Sequence, residues 1–443
     1  MSTSASLLEF ATSVVRKLVD ARHRAVFAGG CVRDMLLGTE PKDYDVATSA
    51  KPEEVMKLFR RTIPVGVAFG VVRVLDKGEH PLAVEVATFR GESGYADGRH
   101  PTEVHFTNEI EDVKRRDFTV NGLLFDPLKD EVLDYVGGRE DLSRKLLRAI
   151  GDPAQRFAED HLRMLRAVRF AAQLGFEIEP ATFAAVKANV ANIHSISAER
   201  VRDELNRMLS GPNPRRAFEL LKSSGLLREI LPEVDAMAGV QQPPQFHPEG
   251  DVWTHTLMLL GQLSNAPLSV ALGALFHDVG KPPTFTVTDR IRFNEHEKVG
   301  AELTQTIMRR LKYANEEIER VVALVKGHMM FKDTEHMRPS TLKKFLRQPH
   351  FEDHLALHKL DCMASHGSLD AYEFCRARLG QESEETLRPP PLITGQDLIA
   401  LGLQPGPKFK QILQEVEDRQ LEGALTDKEA ALAFVREWLK SHP

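Results

Sequence analysis

The fold of the amino-terminal region is decided by the stretch GGCVRDMLLG at residues 29–38, which a short polar turn connects to KDYDV at residues 42–46. Gly29 and Gly30 precede a short helical run, and backbone N–H groups at the amino terminus of a helix can face a phosphate. Arg33, within the run, adds a forked donor suited to phosphate oxygens. The stretch therefore predicts a turn that binds the phosphates of a nucleotide.

Acidic side chains follow this turn. Asp43 and Asp45 lie two residues apart, so on a strand they point the same way. Glu85 alternates with apolar residues in the strand-like stretch 82–90, where a charge needs a partner or a metal ion. An isolated Asp pair is more often solvated, and Glu85 on an edge strand would face water. Beside the glycine turn, these three residues favour a catalytic site for divalent cations, Mg²⁺ in particular.

Length and composition exclude several classes of protein. The 443 residues are 42% apolar and 28% charged, which is ordinary for a globular chain long enough for several domains. A net charge of −6 argues against a protein that coats nucleic acid nonspecifically, although a local basic groove remains compatible with it. Three widely spaced cysteines and no apolar run of membrane-spanning length predict a cytoplasmic protein without a membrane partner.

Two polar segments complete the predicted head. Residues 91–111 are polar and contain several glycines, which predicts a long loop. Within residues 114–122, Arg116 offers donors for a triphosphate or ribose, and Asp117 and Asn121 offer acceptors for hydroxyl groups. The alternative for this run is a basic turn before a strand.

A long helix is predicted from about Asp152 through Phe170. Cytosine and adenine both present an amine beside a ring-nitrogen acceptor, whereas uracil and guanine present a carbonyl and an N–H. An acid that only accepts, beside an arginine that only donates, complements the first two bases. Asp160 and Arg163, three residues apart, have this chemistry, although a solvated face of ion pairs would look similar. Two further arginines of the helix are candidate nucleotide contacts, Arg166 and Arg169.

The motif Gly-Gly-x-Val-Arg-Asp-x-Leu-Leu-Gly followed by Asp-x-Asp resembles the head of the bacterial tRNA nucleotidyltransferases and poly(A) polymerases. These enzymes are one branch of the polymerase-β-like nucleotidyltransferase superfamily. The resemblance implies addition of CCA to the 3′ end of tRNA from CTP and ATP. It extends to the ribose-contacting run at Arg116 and Asp117 and to the base-selecting motif at residues 159–163. It also implies that a flexible loop near residues 91–111 serves the addition of A after C.

Histidines and acids recur at helix-sized intervals after about residue 237. A single histidine on an apolar helix is more often a core residue, but an adjacent His-Asp pair flanked by further ligand-type residues can cage one or two metal ions in a helical bundle. The pattern resembles the HD phosphohydrolase superfamily. That resemblance implies His255, His277, Asp278 and Asp361 as core ligands, with His296 and His328 completing a second site. It further implies a divalent transition metal such as Ni²⁺ or Mn²⁺, and hydrolysis of a phosphoester.

Together these features predict an α+β protein: a mixed-sheet head at 1–140, a helical neck and body at 141–235, an HD domain at 236–385 and a helical, RNA-binding tail at 386–443. The predicted function is CCA addition to tRNA. Three alternatives remain at this level: poly(A) polymerase or A-only addition, an HD phosphatase whose head only binds RNA, and a non-catalytic RNA-binding protein. The oligomeric state is not predicted.

Overall fold

The computed structural model of this protein describes residues 3–66, 70–78, 81–95, 101–243, 250–263 and 265–442. Two compact units divide the chain, Met1–Asp235 and Ala236–Pro443. A mixed sheet with many helices confirms the predicted α+β class. The finer division into four parts stays a prediction. Within the described ranges, no helix has both the length and the apolar composition that crossing a bilayer requires.

The first unit begins with a seven-stranded mixed sheet whose strand order is β3-β4-β5-β2-β1-β8-β9. Its neighbouring strands are antiparallel except β2 and β5, which run parallel. A separate antiparallel pair, β6 and β7, lies outside that sheet. The elements in chain order are α1 (Thr3–Asp20), β1 (Ala25–Ala28), α2 (Gly30–Leu36), β2 (Asp45–Thr48), α3 (Pro52–Leu58), β3 (Thr62–Gly66), β4 (Val71–Leu75), β5 (Ala83–Thr88), β6 (Arg90–Tyr95), β7 (Pro101–Phe106), α4 (Glu109–Lys114), β8 (Leu124–Asp126), β9 (Glu131–Leu133) and α5 (Gly138–Ser143).

Buried apolar side chains hold the central strands of the sheet in position. All four residues of β1 are buried, and on β4 and β5 the valines that alternate with polar residues are buried as well. Helix α1 contributes Val14, Val15 and Leu18 to the interior. Full burial of such a side chain contributes about 1.5–3 kcal/mol to folding. The ends of β2 and β5 are therefore held by a core that cannot shift without exposing apolar surface.

The prediction of a long loop at residues 91–111 is wrong. Strands β6 and β7 pair antiparallel from Arg90↔Phe106 to Tyr95↔Pro101, and α4 begins at Glu109 under an Asn108 cap. The backbone N–H and C=O groups that face the partner strand pair without any apolar sequence pattern, which is why a polar segment concealed this ladder. The part of this prediction that concerns residues 96–100 lies outside the described residues.

Helices form the remainder of the first unit, apart from a two-residue parallel pairing of β10 with β11. These elements are β10 (Leu146–Leu147), α6 (Pro153–Glu159), α7 (Leu162–Leu174), β11 (Glu177–Ile178), α8 (Pro180–Asn189), α9 (Ala198–Leu209), α10 (Pro214–Ser224), α11 (Leu226–Ile230) and α12 (Pro232–Asp235). The single helix predicted from residue 152 to 170 is wrong, because the chain breaks between α6 and α7. Asp160 has extended backbone angles there (φ −140°, ψ 104°), and its Oδ1 accepts the N–H of Leu162 at 3.1 Å. A short acid that caps a new helix competes with continuation of the old one.

The second unit is helical except for one short hairpin, β12–β13. Its elements are α13 (Val252–Gly261), α14 (Leu268–Phe276), α15 (Lys281–Thr284), β12 (Phe285–Val287), β13 (Ile291–Phe293), α16 (His296–Arg310), α17 (Asn315–Gly327), α18 (Pro339–Leu346), α19 (Phe351–Ala364), α20 (Asp370–Gln381), α21 (Glu384–Leu387), α22 (Gly395–Ala400), α23 (Pro407–Leu421) and α24 (Lys428–Ser441). Helix α14 is buried along most of its length, which places the residues that follow it inside the bundle. Helices α22 to α24 enclose an apolar core of their own.

A close backbone approach holds the start of α16 against the turn after α14. A Cβ atom added to Gly280 would lie 2.5 Å from the backbone nitrogen of Gly300 and nearer still to the backbone oxygen of His296. The neighbouring groups are backbone atoms, which cannot rotate away as a side chain does. Only glycine at position 280 therefore allows this approach.

We expect Gly280→Ala to lower the free energy of unfolding by about 1–3 kcal/mol or more, because the added methyl group forces two backbone segments apart. The matched control is Gly380→Ala within α20, where no atom lies within 4 Å of the added Cβ. That substitution should raise stability by up to about 1 kcal/mol through helix propensity. Chemical denaturation measures both, and equal stability of the two variants would contradict the packing argument.

Candidate active site

A cavity of about 1030 Å³ in the first unit collects the residues predicted for nucleotide transfer. All of them line it except Arg169: Gly29, Gly30, Arg33, Asp43, Asp45, Glu85, Arg116, Asp117, Asn121, Asp160, Arg163 and Arg166. Five further lining residues were not among the predicted site residues: Arg90, Arg115, Phe170, Arg200 and Arg207. The cavity wall thus combines five acidic groups at fixed places with a surrounding excess of guanidinium groups.

The glycine turn forms one wall of this cavity. Gly29 has φ +78°, a conformation that favours glycine, and it stands at the amino terminus of α2. A Cβ atom there would lie 2.9 Å from Nη1 of Arg116, so the absence of a side chain leaves room for that guanidinium. Arg33 is held from the other side, since its Nη1 donates to Oδ1 of Asn121 at 2.6 Å. The side chains of Arg33 and Arg116 are therefore already positioned beside the turn before any ligand binds.

Three carboxylates converge where β2 begins. Asp45 is the first residue of β2, Asp43 lies just before that strand, and the parallel register sets Asp45 directly beside Glu85 of β5. Burial, followed by repulsion from Asp43 and from Glu85, raises the pKa of Asp45 to about 6. Arg73 offsets part of this charge through an ion pair of 2.6 Å with Glu85. A divalent cation would relieve the remaining repulsion, so this donor set fits a metal ion such as Mg²⁺.

Asp117 is committed to protein partners. Its Oδ2 accepts both Nε and Nη2 of Arg166, at 2.8 and 2.6 Å, and its Oδ1 accepts Nδ2 of Asn121 and the N–H of Phe118. Burial acts to raise the pKa of Asp117, but Arg166 and these hydrogen bonds hold it below its usual range. Asp117 and Asn121 therefore orient the arginines around them, and contact with a ribose stays a prediction.

Asp160 and Arg163 both line the cavity, but among the described residues their side chains pair with other partners and not with each other. Arg163 donates to Oε2 of Glu159 at 2.7 Å and to the backbone oxygen of Arg115 at 2.9 Å. Asp160 faces Arg200 of helix α9. The acceptor and the donor proposed for base recognition are therefore held by separate partners.

Arg169 lies apart from this cavity. Arg169 is 6% exposed, and its guanidinium pairs with the buried Glu204 at 2.6 Å, while its Cζ atom lies 4.1 Å from the ring centroid of Phe170. Burial lowers the pKa of Arg169, and Glu204 acts in the opposite direction. These contacts support a packing role that joins α7 to α9, and a nucleotide contact of Arg169 stays a prediction.

A second cluster in the second unit brings together all six histidine and acid residues predicted as metal ligands. They form two groups, each with ligand atoms within 4.8 Å of one another: His255, His277 and Asp361, and Asp278, His296 and His328. Nε2 of His277 lies 3.2 Å from Oδ2 of Asp278, which joins the two groups. Separate helices and turns supply these residues, and most of the side chains are deeply buried.

The protonation of three histidines in this cluster follows from their hydrogen bonds. Nδ1 of His277, His296 and His328 lies 3.0, 3.0 and 2.6 Å from backbone oxygens of residues 274, 293 and 325. A carbonyl oxygen only accepts, so each Nδ1 carries a hydrogen, and on the neutral rings of His296 and His328 each Nε2 presents a lone pair. Nε2 of His296 and Nε2 of His328 face each other at 3.2 Å. Two facing lone pairs repel each other unless a cation lies between them, so the donor set fits a metal ion.

Charge within this cluster agrees with metal binding. Burial, followed by the neighbouring His277, lowers the pKa of His328 to about 3, which keeps it a neutral ligand. Burial acts to raise the pKa of Asp278, but His277 and Lys281 hold it well below its usual range. Lys281 is itself buried between Oδ2 of Asp278 at 2.7 Å and Oε1 of Gln242 at 2.6 Å. A cavity of about 480 Å³ opens beside the cluster, lined in part by Arg292, Phe293 and Lys332.

Comparison with known families matches three segments of the chain. Residues 25–148 match the poly A polymerase head domain, residues 175–237 the probable RNA and SrmB-binding site of polymerase A, and residues 251–361 the HD domain. Nucleotidyltransferase and HD families are metal-dependent, in agreement with both donor sets.

Among solved structures, the chain is similar to the Bacillus stearothermophilus CCA-adding enzyme in complex with CTP, with 28% identity and a TM-score of 0.75 over 100% of this chain and 99% of that one. The Thermotoga maritima CCA-adding enzyme complexed with tRNA has the same fold, at 18% identity and a TM-score of 0.59 over 98% and 96% of the two chains.

Two sequence relatives carry the comparison further. The CCA-adding enzyme of Lactobacillus helveticus is 42% identical over 56% of this chain and 63% of its own length. The CCA-adding enzyme of Levilactobacillus brevis is 32% identical over 438 residues, 96% of each chain. With this nearly complete coverage, the chain belongs to the family of CCA-adding enzymes, which are nucleotidyltransferases.

Proposed function

We propose that this protein adds or repairs the 3′-terminal CCA of tRNA, taking CTP and ATP as substrates. The observation that carries the proposal is a cavity lined at once by the glycine turn, by three crowded carboxylates and by Asp160 and Arg163. The CCA-adding enzymes with a similar fold have been solved with CTP, with ATP and with tRNA, which supports the same partners here. The cytoplasm is the compartment we propose for the reaction.

At the transfer site, Asp43 and Asp45 would hold Mg²⁺, with Glu85 as the third carboxylate. When bound, Mg²⁺ would lower the pKa of the tRNA 3′-hydroxyl and neutralise charge on the triphosphate and the departing pyrophosphate. Gly29 and Gly30 would line the phosphate site, where the N–H of Gly29 itself donates to the backbone oxygen of Leu123 at 3.2 Å. Arg33 and Arg116 would add guanidinium groups for the phosphates. The attacking hydroxyl and the triphosphate would thus meet in a cavity lined by guanidinium groups and by the three acids.

At the base, Asp160 would accept the amine that cytosine and adenine share, and Arg163 would donate to the ring nitrogen beside it. Uracil and guanine present a carbonyl to Asp160 and an N–H to Arg163, so both contacts become repulsive. No nucleic-acid template is needed for such a choice. Arg166, held by Asp117, supplies a further cation at the same wall.

In the second unit, the six ligands would hold a divalent transition metal such as Ni²⁺ or Mn²⁺, and the site would hydrolyse a phosphoester. The metal would activate water for attack on phosphorus. Arg292 and Lys332 line the adjoining cavity and offer positive charge to a phosphate. Lys281 is already paired inside the protein, so its role is to orient Asp278 rather than to meet the substrate.

Poly(A) polymerase is the nearest alternative, because its head domain shares the chemistry and the family match at residues 25–148. The coverage of 96% of a CCA-adding relative favours CCA addition. Repeated addition of A to unrelated RNAs would favour the alternative.

We expect Asp43→Asn and Asp45→Asn to lower nucleotide transfer by at least about 1000-fold, because each removes a charge that holds the metal ion. Phosphoester hydrolysis should remain, since its ligands lie in the other unit. The matched control is Asp130→Asn, which changes an exposed carboxylate in the turn after β8. Single-nucleotide addition to tRNA measures the effect, and transfer near the wild-type rate in either variant would refute the metal assignment.

We expect Arg163→Ala to lower the preference for CTP over UTP, and for ATP over GTP, by about 10-fold or more, the size of one lost base contact. Arg144→Ala is the control, because that arginine pairs with Glu140 on an exposed helix face. The ratio of kcat/KM values for each nucleotide pair measures selectivity. An unchanged ratio in Arg163→Ala would show that Arg163 does not read the base.

We expect His328→Gln and Asp361→Asn to abolish hydrolysis of bis(p-nitrophenyl) phosphate in the presence of Ni²⁺ or Mn²⁺, because each removes a ligand from the cluster. Transfer of CMP and AMP to tRNA should be retained. His336→Gln, which changes an exposed histidine, is the control. Hydrolysis that survives both ligand substitutions would place the activity elsewhere.

A further inference from the structure

The spacing of Asp160 and Arg163 raises a physical problem. An acid three residues before an arginine is near enough in sequence to form an ion pair with it, and such a pair would consume the acceptor and the donor that a base needs. In this structure, Arg163 forms an ion pair with Glu159 instead, with 2.7 Å between Nη1 of Arg163 and Oε2 of Glu159. Asp160 forms its ion pair with Arg200, which lies forty residues further along the chain. Two outside partners therefore keep the recognition pair apart.

The contact of Arg200 with Asp160 is of an unusual kind. One nitrogen, Nη2, reaches both carboxylate oxygens, at 3.4 Å from Oδ1 and 3.3 Å from Oδ2. These distances exceed the 2.7–2.9 Å typical of charge-assisted hydrogen bonds. Oδ1 meanwhile accepts the N–H of Leu162 at the start of α7. The guanidinium thus aligns the carboxylate electrostatically and leaves its oxygens able to accept a stronger hydrogen bond from a ligand.

Both side chains lie at the cavity wall and are only partly exposed, 25% for Arg200 and 22% for Asp160. Nη1 of Arg200 is buried and has no hydrogen-bond partner among the residues that the structure describes. The other terminal nitrogen, Nη2, faces the carboxylate of Asp160. The position of Arg200 on α9 is therefore best explained by what it does to Asp160.

We propose that Arg200 is a positioning residue for base selection: its ion pair keeps Asp160 turned toward the cavity and unavailable to Arg163. The proposal rests on the base-selecting role of Asp160 and Arg163 in the proposed function. A substitution that removes Arg200 frees Asp160 to approach Arg163, and the pair then neutralises itself. Selectivity would be lost even though both residues that touch the base are still present.

The test compares Arg200→Ala and Arg200→Lys with the wild-type protein. Single-nucleotide additions use CTP against UTP on tRNA that lacks CCA, and ATP against GTP on tRNA that ends in CC. We expect Arg200→Ala to lower both kcat/KM ratios by 10-fold or more. Arg200→Lys retains a cation beside Asp160 and should retain the larger part of each ratio. A purely structural role would not give selective rescue by lysine.

Arg202→Ala is the matched control, because it removes one positive charge from the same helix at a residue that does not line the cavity. It should leave both ratios unchanged, and thermal unfolding verifies that all variants are folded. An equal fall for all four nucleotides in Arg200→Ala would assign Arg200 to RNA or triphosphate binding and overturn the proposal. Unchanged ratios would overturn it as well.

The result for Arg163→Ala distinguishes failure of the proposal for Arg200 from failure of the base-reading role proposed for Asp160 and Arg163. If Arg163→Ala relaxes selectivity and Arg200→Ala does not, the proposal for Arg200 fails and the base-reading pair stands. If neither variant relaxes selectivity, the base-reading pair itself is wrong.

Discussion

Electrostatic crowding of three carboxylates is the constraint on which the head depends. The parallel register of β2 and β5 sets Asp45 beside Glu85, and Asp43 precedes the same strand. Apolar residues on both strands are buried, so the acids cannot separate without loss of core packing. Their repulsion, added to burial, accounts for the raised pKa of Asp45. Burial of like charges in this way destabilises the metal-free protein and favours binding of a divalent cation. Such a loss of stability in favour of activity is expected at a catalytic site.

Elsewhere in the cavity, ion pairs hold the arginines and acids in place, and Asp160 and Arg163 each pair with a third residue instead of with each other. Asp117 holds Arg166, Glu159 holds Arg163, and Arg200 faces Asp160. Each pairing joins groups from different parts of the unit or from the end of one helix to the start of the next. The cavity is therefore pre-organised, and the binding of a nucleotide need not first break an ion pair between the two groups that would read its base.

The local motifs were predictable from the sequence, because they depend on short-range chemistry. The glycine turn, the acid on a strand and the six residues of the histidine cluster were all identified, and the structure brings the members of each predicted set close together, with Arg169 as the exception. The break at Asp160 was not predicted, since helix periodicity alone does not show a side chain that caps a second helix. Strands β6 and β7 lacked an apolar alternation. Arg200, Arg207 and Phe170 were missed because their place in the cavity depends on how α9 packs on α7, a contact between residues about 40 positions apart that no local pattern records.

In this account the cavity adds C, C and A in order to a tRNA end without a nucleic-acid template: the three carboxylates hold the metal ion, and Asp160 and Arg163 choose the base. The most direct measurement offers the protein tRNAs that end before, within and after CCA, with CTP and ATP supplied alone and together, with Mg²⁺ or with EDTA, and resolves product lengths at single-nucleotide resolution. The account predicts two additions from CTP alone, one addition of A only after CC, no extension of a finished CCA end, and no product in EDTA. Long A tails on every RNA, or extension without a divalent cation, would contradict it.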